Sequence, residues 1–573
     1  MDQRNLFIAI GVSVAILIGF QFYTQHYRTP PATQQTGTPS GNPPTTSQAA
    51  GGTAPASAPS VAGQAKTAPR ETVLAQAPRI PIATPRLTGS IDLVGGRIDD
   101  LTLVTYHETV DPRSPAVVLL APDGSEQPYF VQSGWVAADA NVKVPGPETR
   151  WTAASAAALS PDHPVDLTWD NGAGLKFTRR YAVDENYMFT VTETVANASR
   201  ATVSLYPYAL VSRAGEVPVS STYLLHEGPI GVIDGTLREI KYADLKPGQP
   251  EEYASTGGWL GFTDKYWLTA LIPDQKESIK ARFTHAVRDK VDIWQVDYRG
   301  VEHVLEPGQT AKAESHIFAG AKEVALLDRY EDALGIPRFD RAIDFGWFYF
   351  ITKPIFLTLD FFYKLIGNFG IAILALTVCI KAIFFPLANK SYRAMSKMKK
   401  LQPEMAKLRE RFGDDKEKLN KETMALYKRV GANPMAGCLP ILIQVPVFFS
   451  LYKVLYVTIE MRHAPFYGWI HDLSAPDPTT FVNLFGLIPF TPPHISFLMI
   501  GAWPLIMGVT MFLQQKLNPA PPDPIQAKMF MILPVVFTFM LSQFAAGLVI
   551  YWSWNNLLSI AQQWVIMRRT GAV

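Results

Sequence analysis

Cysteine is nearly absent. Cys379 and Cys438 are the only two in 573 residues, one inside an apolar run and one at the edge of another, so neither a disulfide framework nor a thiolate metal site is expected. Signatures of catalysis are missing as well. The chain has no P-loop, no G-x-S-x-G, no H-E-x-x-H, no C-x-x-C and no G-x-G-x-x-G, which leaves no catalytic residue, cofactor or metal to assign. Charge is sparse at 18%, and between Thr29 and Pro78 it is reduced to Lys66, Arg70 and Glu71. That stretch of Pro, Ala, Thr, Ser, Gly and Gln cannot bury enough apolar surface to offset its ordering entropy, so residues 29–78 are expected to be a disordered tether.

What is present is apolar surface in blocks. With 48% hydrophobic residues and a mean hydropathy of +0.06, the chain averages a polar part and a much more apolar one. Leu6 to Tyr23 is long enough to cross a bilayer and is followed by Gln21-Phe22-Tyr23-Thr24-Gln25 rather than a small-x-small cleavage site. Residues 1–28 therefore read as an uncleaved anchor. Residues 79–330 alternate in short runs: Leu167-Thr168-Trp169 and Leu175-Lys176-Phe177 flank Asn171-Gly172, and Tyr187 to Val195 has period two. A single large β-sandwich is expected there.

Residues 331–573 form the apolar part. Phe345 to Tyr363 is aromatic but broken by Lys353, Pro354 and Asp360, which suits a helix lying in the membrane interface. Crossing segments are expected at Phe369–Leu387, Leu439–Ile459, Ile495–Leu513, Met529–Ser542 and Leu548–Met567. With the anchor they make six spans, although Met529–Ser542 is short. Between Ala388 and Asn433 stand 13 bases against six acids, a net +7, which places residues 388–433 in the cytosol and the β-domain outside. Six spans return Arg568 and Arg569 to the cytosol. Five would not.

Residues 388–433 read as a helical hairpin. Met395, Met398, Leu401, Met405, Leu408 and Phe412 form one apolar stripe, and Leu419, Leu426 and Val430 form another after the break at Gly413-Asp414-Asp415. Packing between the two helices is the simpler use of the methionines, and an adaptable surface for apolar targets is the other. The basic excess suits anionic lipid or ribosomal RNA alike.

One charge lies deep in an apolar span. Lys381 is nine residues inward of Lys390, about 13 Å along a helix, and a cation in hydrocarbon costs roughly 2.5–3.5 kcal/mol unless water or a partner relieves it. By spacing alone the amine either snorkels to the interface or faces a wet cavity. Thr377, four residues earlier on the same face, allows a hydroxyl/amine hydrolase pair, but a hydroxyl bonded to its own helix backbone is the commoner arrangement. Gln444, between Pro440 and Pro446, is a second polar residue at depth, suited to a helix–helix hydrogen bond.

These residues resemble a family. Asn433-Pro434-Met435-Ala436-Gly437-Cys438-Leu439-Pro440, with Ile443-Gln444-Val445-Pro446-Val447-Phe448 after it, is similar to the entry of the third span of the YidC membrane-protein insertases. So are Ala464-Pro465-Phe466-Tyr467-Gly468-Trp469-Ile470-His471-Asp472-Leu473-Ser474 and Gly547-Leu548-Val549-Ile550-Tyr551-Trp552, and the resemblance extends over the whole chain. It implies a polytopic α-helical protein of the bacterial inner membrane with both termini cytosolic. The family form has a five-helix core, a periplasmic β-domain and a groove open to cytosol and lipid. The groove residues carried over are Lys381, Thr377, Gln444, Tyr551 and Trp552, although Tyr and Trp at such depth also serve as interface anchors. The clients implied are nascent membrane proteins, with the Sec translocon, the ribosome and lipid as further partners and no DNA. Lys381 stands where the family has arginine, keeping the charge but losing the bidentate fork, and Ala545 stands where relatives often have proline. A transporter or channel would also place a charge at mid-membrane, but it usually shows internal repeats, which are not found here.

Overall fold

The computed structural model describes residues 58–59, 68–217, 225–413, 415–431, 439–488, 499–518 and 524–570. The expected anchor at Leu6–Tyr23, most of the tether and the motif residues Asn433–Cys438 lie outside them. Within the stretch expected to be a tether, Arg70–Leu74 is a short helix, α1; the Arg70 guanidinium meets the Asp100 carboxylate and the Ala68 amide donates to the Gly124 carbonyl at 2.9 Å. Composition does not register such contacts.

The β-domain is two antiparallel sheets of ten and nine strands. Tyr129–Ala137, Val203–Ala214 and Val291–Arg299 run through the middle of the first, and Trp267–Ile272, Thr310–Ala321 and Met188–Asn197 through the middle of the second. Trp135 and Phe283 from one sheet and Trp259, Phe262, Phe177 and Phe189 from the other are each less than 2% exposed, so the core lies between the sheets. The hairpin at Asn171-Gly172 forms as expected. Trp169 pairs with Phe177, Asn171 Oδ1 accepts the Ala173 and Leu175 amides at 2.8 and 3.0 Å, and Gly172 takes φ +70°. Strand Met188–Asn197 alternates buried and half-buried residues along its length. The last strand stops at Ala321, and Val324–Leu334, across the expected domain boundary at residue 330, is a helix, α2, with Val324, Leu326, Leu327 and Tyr330 on its buried face.

Helix α3 spans Tyr349–Ile366, starting four residues after the expected Phe345, and leaves Phe350, Leu357, Phe361 and Leu365 at least half exposed. Next come α4 (Phe369–Ile383) and α5 (Phe385–Lys400), bent 69° apart at Phe384. The expected span Phe369–Leu387 is thus broken after Ile383, and Pro386 in the first turn of α5 explains the break: a proline fits a helix start but not its interior. Pro403 does the same at α6 (Gln402–Phe412), so the methionine stripe is split at Leu401 between two helices. Helix α7 (Lys416–Val430) is capped by Asp415 and brings Leu426 onto Met395, Met398 and Leu401, so the methionines pack within this part of the protein. Four further helices complete the described chain: α8 (Leu439–Val457), α9 (Ala502–Leu517), α10 (Pro524–Leu541) and α11 (Ala546–Arg569). Among the described residues no single helix is both long and apolar enough to cross a membrane alone; α4 with α5 qualifies as a bent pair.

The two parts are joined by polar contacts. The Val324 amide at the start of α2 donates to Glu460 Oε1 at 3.0 Å, and Lys453 of α8 pairs with Asp344 at 2.8 Å. Arg462 donates to the His107 carbonyl at 2.6 Å, and the Lys265 ammonium lies 3.6 Å over the Tyr456 ring.

Candidate functional site

Helix α4 starts on a side-chain cap, with Asn368 accepting the Ile371 amide, and runs apolar to its last turn, where Lys381 emerges. The bend at Phe384 carries α5 across the end of the bundle. Between α4, α5, α8, α9 and α11 this leaves a cavity of about 120 Å³. Its polar lining includes Lys381, Gln444, Gln514, Tyr551, Asn555 and Ser559, and among the described residues no carboxylate lines it. The volume holds several waters beside polar groups, which meets the needs of an ammonium held among apolar helices.

Lys381 donates to Ser559 Oγ at 2.7 Å, and Ser559 donates in turn to the Asn555 carbonyl at 2.8 Å. The Tyr551 hydroxyl is hydrogen-bonded to Gln444, joining α11 to α8 across the cavity. Three of the five residues singled out from the sequence are therefore brought together: Lys381, Gln444 and Tyr551. Thr377 is buried one turn deeper, and its hydroxyl donates to the Ile373 carbonyl at 2.7 Å, so no hydroxyl/amine pair forms with Lys381. Trp552 points away from the hollow, with its ring edge-on to Phe448 at 4.8 Å and near Phe537.

Sequence reasoning missed Asn555, Ser559, Gln514 and Asn518. A signal existed. Tyr551, Asn555, Ser559 and Gln563 recur every four residues on α11, and Gln514 and Asn518 stand four apart at the end of α9 and just past it; such spacing puts polar groups on one face of an otherwise apolar helix. Those faces interlock: Gln563 donates to Asn518 at 3.0 Å, Asn556 to Thr510 at 3.2 Å, and Gln562 to Asn389 of α5 at 2.9 Å. At the opposite end the bundle is tied shut. Asp477 and Thr479 cap α9 by accepting the Trp503 and Ala502 amides, and the Gly547 amide donates to the Leu473 carbonyl at 3.0 Å.

Among the described residues one other cluster, Asp328, Glu331 and Asp340, has the compactness of a cation site. The Lys353 ammonium is already there, 2.8 Å from Asp328 and from Asp340.

A two-sheet β-domain latched to apolar helices around a cavity-lining cation defines a class: an α-helical membrane protein with a large extramembrane β-domain. Residues 79–358 match the family described as the YidC periplasmic domain, and residues 361–572 match the 60Kd inner membrane protein family. Over its full length the chain is 52% identical to the membrane protein insertase YidC of Granulibacter bethesdensis, covering 98% of that protein, and 51% identical to that of Methylobacterium radiotolerans, covering 95%. A solved active YidC insertase, 17% identical, aligns over 84% of this chain and 91% of its own with a TM-score of 0.34. The chain belongs to the YidC family of membrane protein insertases.

Proposed function

We propose that this chain inserts nascent proteins into the bacterial inner membrane and assists their folding without nucleotide or catalytic chemistry, alone or with the Sec translocon. The observation that carries the reading is the cavity around Lys381: a cation in a partly polar hollow with no carboxylate among its described lining residues. An acidic client tail brought within 4 Å of that ammonium gains about 4 kcal/mol at an effective dielectric near 20. That offsets the ~2.5–3.5 kcal/mol an aspartate costs at mid-membrane depth. Gln444 and Tyr551 supply neutral hydrogen bonds on the same route, and Thr377 and Trp552 shape the helices that frame it. The client's apolar helix then slips sideways into lipid, driven by burial of its own side chains.

In this reading residues 1–28 are the first of six spans, residues 29–78 tether the periplasmic domain, and both termini are cytosolic. Helix α3 slides along the membrane surface on its exposed aromatic face. The basic hairpin over residues 388–433 meets lipid headgroups or the ribosome. The test is insertion into proteoliposomes. Lys381→Ala is expected to slow clients with acidic tails at least tenfold, and wild-type rates for those clients refute the role given to the cavity.

A further inference from the structure

Four lysines lie on α3, α4 and α8, and their partners differ. Lys353 pairs with Asp328 and Asp340 at 2.8 Å, Lys364 with Asp360 at 2.6 Å, and Lys453 with Asp344 at 2.8 Å. Lys381 instead donates to a hydroxyl, Ser559 Oγ, at 2.7 Å. The hydroxyl is 1% exposed and spends its own proton on the Asn555 carbonyl, and the Tyr392 hydroxyl of α5 is hydrogen-bonded to it as well.

The difference has a physical consequence. A lysine stem is long enough to swing its ammonium toward the end of the bundle, so an unheld Lys381 leaves the hollow. A carboxylate would hold it but cancel its charge. A neutral acceptor holds it and leaves the charge whole. With one N–H engaged, two remain to face a ligand. Because its single hydrogen is already used, Ser559 offers only lone pairs at the amine and has no donor with which to compete for an incoming carboxylate.

Resting on the role given above to Lys381, we infer that Ser559 is a positioning residue for insertion: it fixes the ammonium inside the cavity in its charged, unneutralised form and thereby sets the preference for acidic client tails. Tyr392 ties this arrangement to α5, the helix that crosses the cavity.

The test uses the full chain in proteoliposomes and reads the ratio of insertion rates for two clients that differ only in an aspartate or asparagine tail. Ser559→Ala is expected to lower the ratio about two- to tenfold, the factor one hydrogen bond is worth. Ser559→Thr, which keeps the hydroxyl, is expected to restore it. Ser559→Asp keeps the amine in place but neutralises it, and is expected to lower the ratio as far as Lys381→Ala does. In a Lys381→Ala background, Ser559→Ala is expected to change the ratio no further. If Lys381→Ala lowers the ratio while Ser559→Ala leaves it at the wild-type value, the positioning role is wrong and the cavity reading stands, whatever Ser559→Asp does. If Lys381→Ala itself leaves the ratio unchanged, the cavity reading fails first.

Discussion

Glu460 gives the junction between the two parts a measurable pH dependence. Its Oε1 accepts the Val324 amide, while Oε2 is sealed from solvent with no hydrogen-bond partner among the described residues. Burial pushes its carboxyl up to about 7, the two backbone amides that favour the anion recover only part of this, and nearby Glu323 adds to it. An unfolded glutamate titrates near 4.3. Between those values the folded state holds a proton that the unfolded state has lost, so stability falls as pH rises from about 4.5 to 7 and is flat above that. A displacement of this size is worth about 3–4 kcal/mol.

Glu460→Gln keeps an acceptor for Val324 and removes the titration. It is expected to stabilise by about 1 kcal/mol at pH 5 and by about 3–4 kcal/mol at pH 8, the latter raising the melting temperature of a domain of this size by roughly 6–16 °C. The assay is tryptophan fluorescence during heating of the full chain in nanodiscs at both pH values, for both proteins. An equal shift at pH 5 and pH 8, or a lower melting temperature for the variant at pH 8, refutes the argument that Glu460 is held neutral by burial.

Two further predictions concern packing. Arg179 is buried against Glu193 at 2.5 Å, donates to the Gly96 carbonyl at 2.8 Å and lies 4.6 Å over the Trp151 ring, so Arg179→Met strands a buried carboxylate and is expected to cost about 3–5 kcal/mol in denaturant unfolding. Arg179→Met with Glu193→Leu is expected to recover most of that loss, and a double variant as unstable as the single one contradicts it. At Gly370 of α4 an added Cβ falls 1.9 Å from Phe466 Cδ2; Gly370→Ala is expected to lose about 1–3 kcal/mol, and pairing it with Phe466→Leu to regain part of it, both read by thermal unfolding.

The sequence made some of these features visible and hid others for identifiable reasons. Alternation from Tyr187 to Val195 and the Asn171-Gly172 turn are local, so the hairpin and strands were legible. Lys381 was legible because a charge in an apolar run has to be accommodated. Ser559 was not, since a serine in an apolar helix is unremarkable until the lysine 178 positions away is found to donate to it. The bend at Phe384 lay in the letters as Pro386, but a hydropathy window averages through a proline whose missing N–H costs nothing at a helix start. The helix at Arg70–Leu74 and its contact with Asp100, inside the expected tether, are encoded by neither periodicity nor composition.

Why a protein of this kind carries latches at only one end follows from the physics of helices in lipid. Apolar side chains gain little by leaving acyl chains for one another, so helix association there depends on close packing and polar contacts. At the end that bears the β-domain, α8 is held by Lys453–Asp344 and Glu460–Val324, and α9 and α11 by Asp477, Thr479 and the Leu473 carbonyl. At the other end the helices surround a cavity bridged by side-chain hydrogen bonds, Lys381–Ser559, Gln444–Tyr551, Gln562–Asn389 and Gln563–Asn518. Each neutral bond of this kind is worth about 1 kcal/mol or less, whereas the latched end adds the ion pair Lys453–Asp344. In the insertion mechanism proposed above, a client arriving with its own hydrogen-bonding groups replaces those contacts, while the fixed end keeps Lys381 and Gln444 in register.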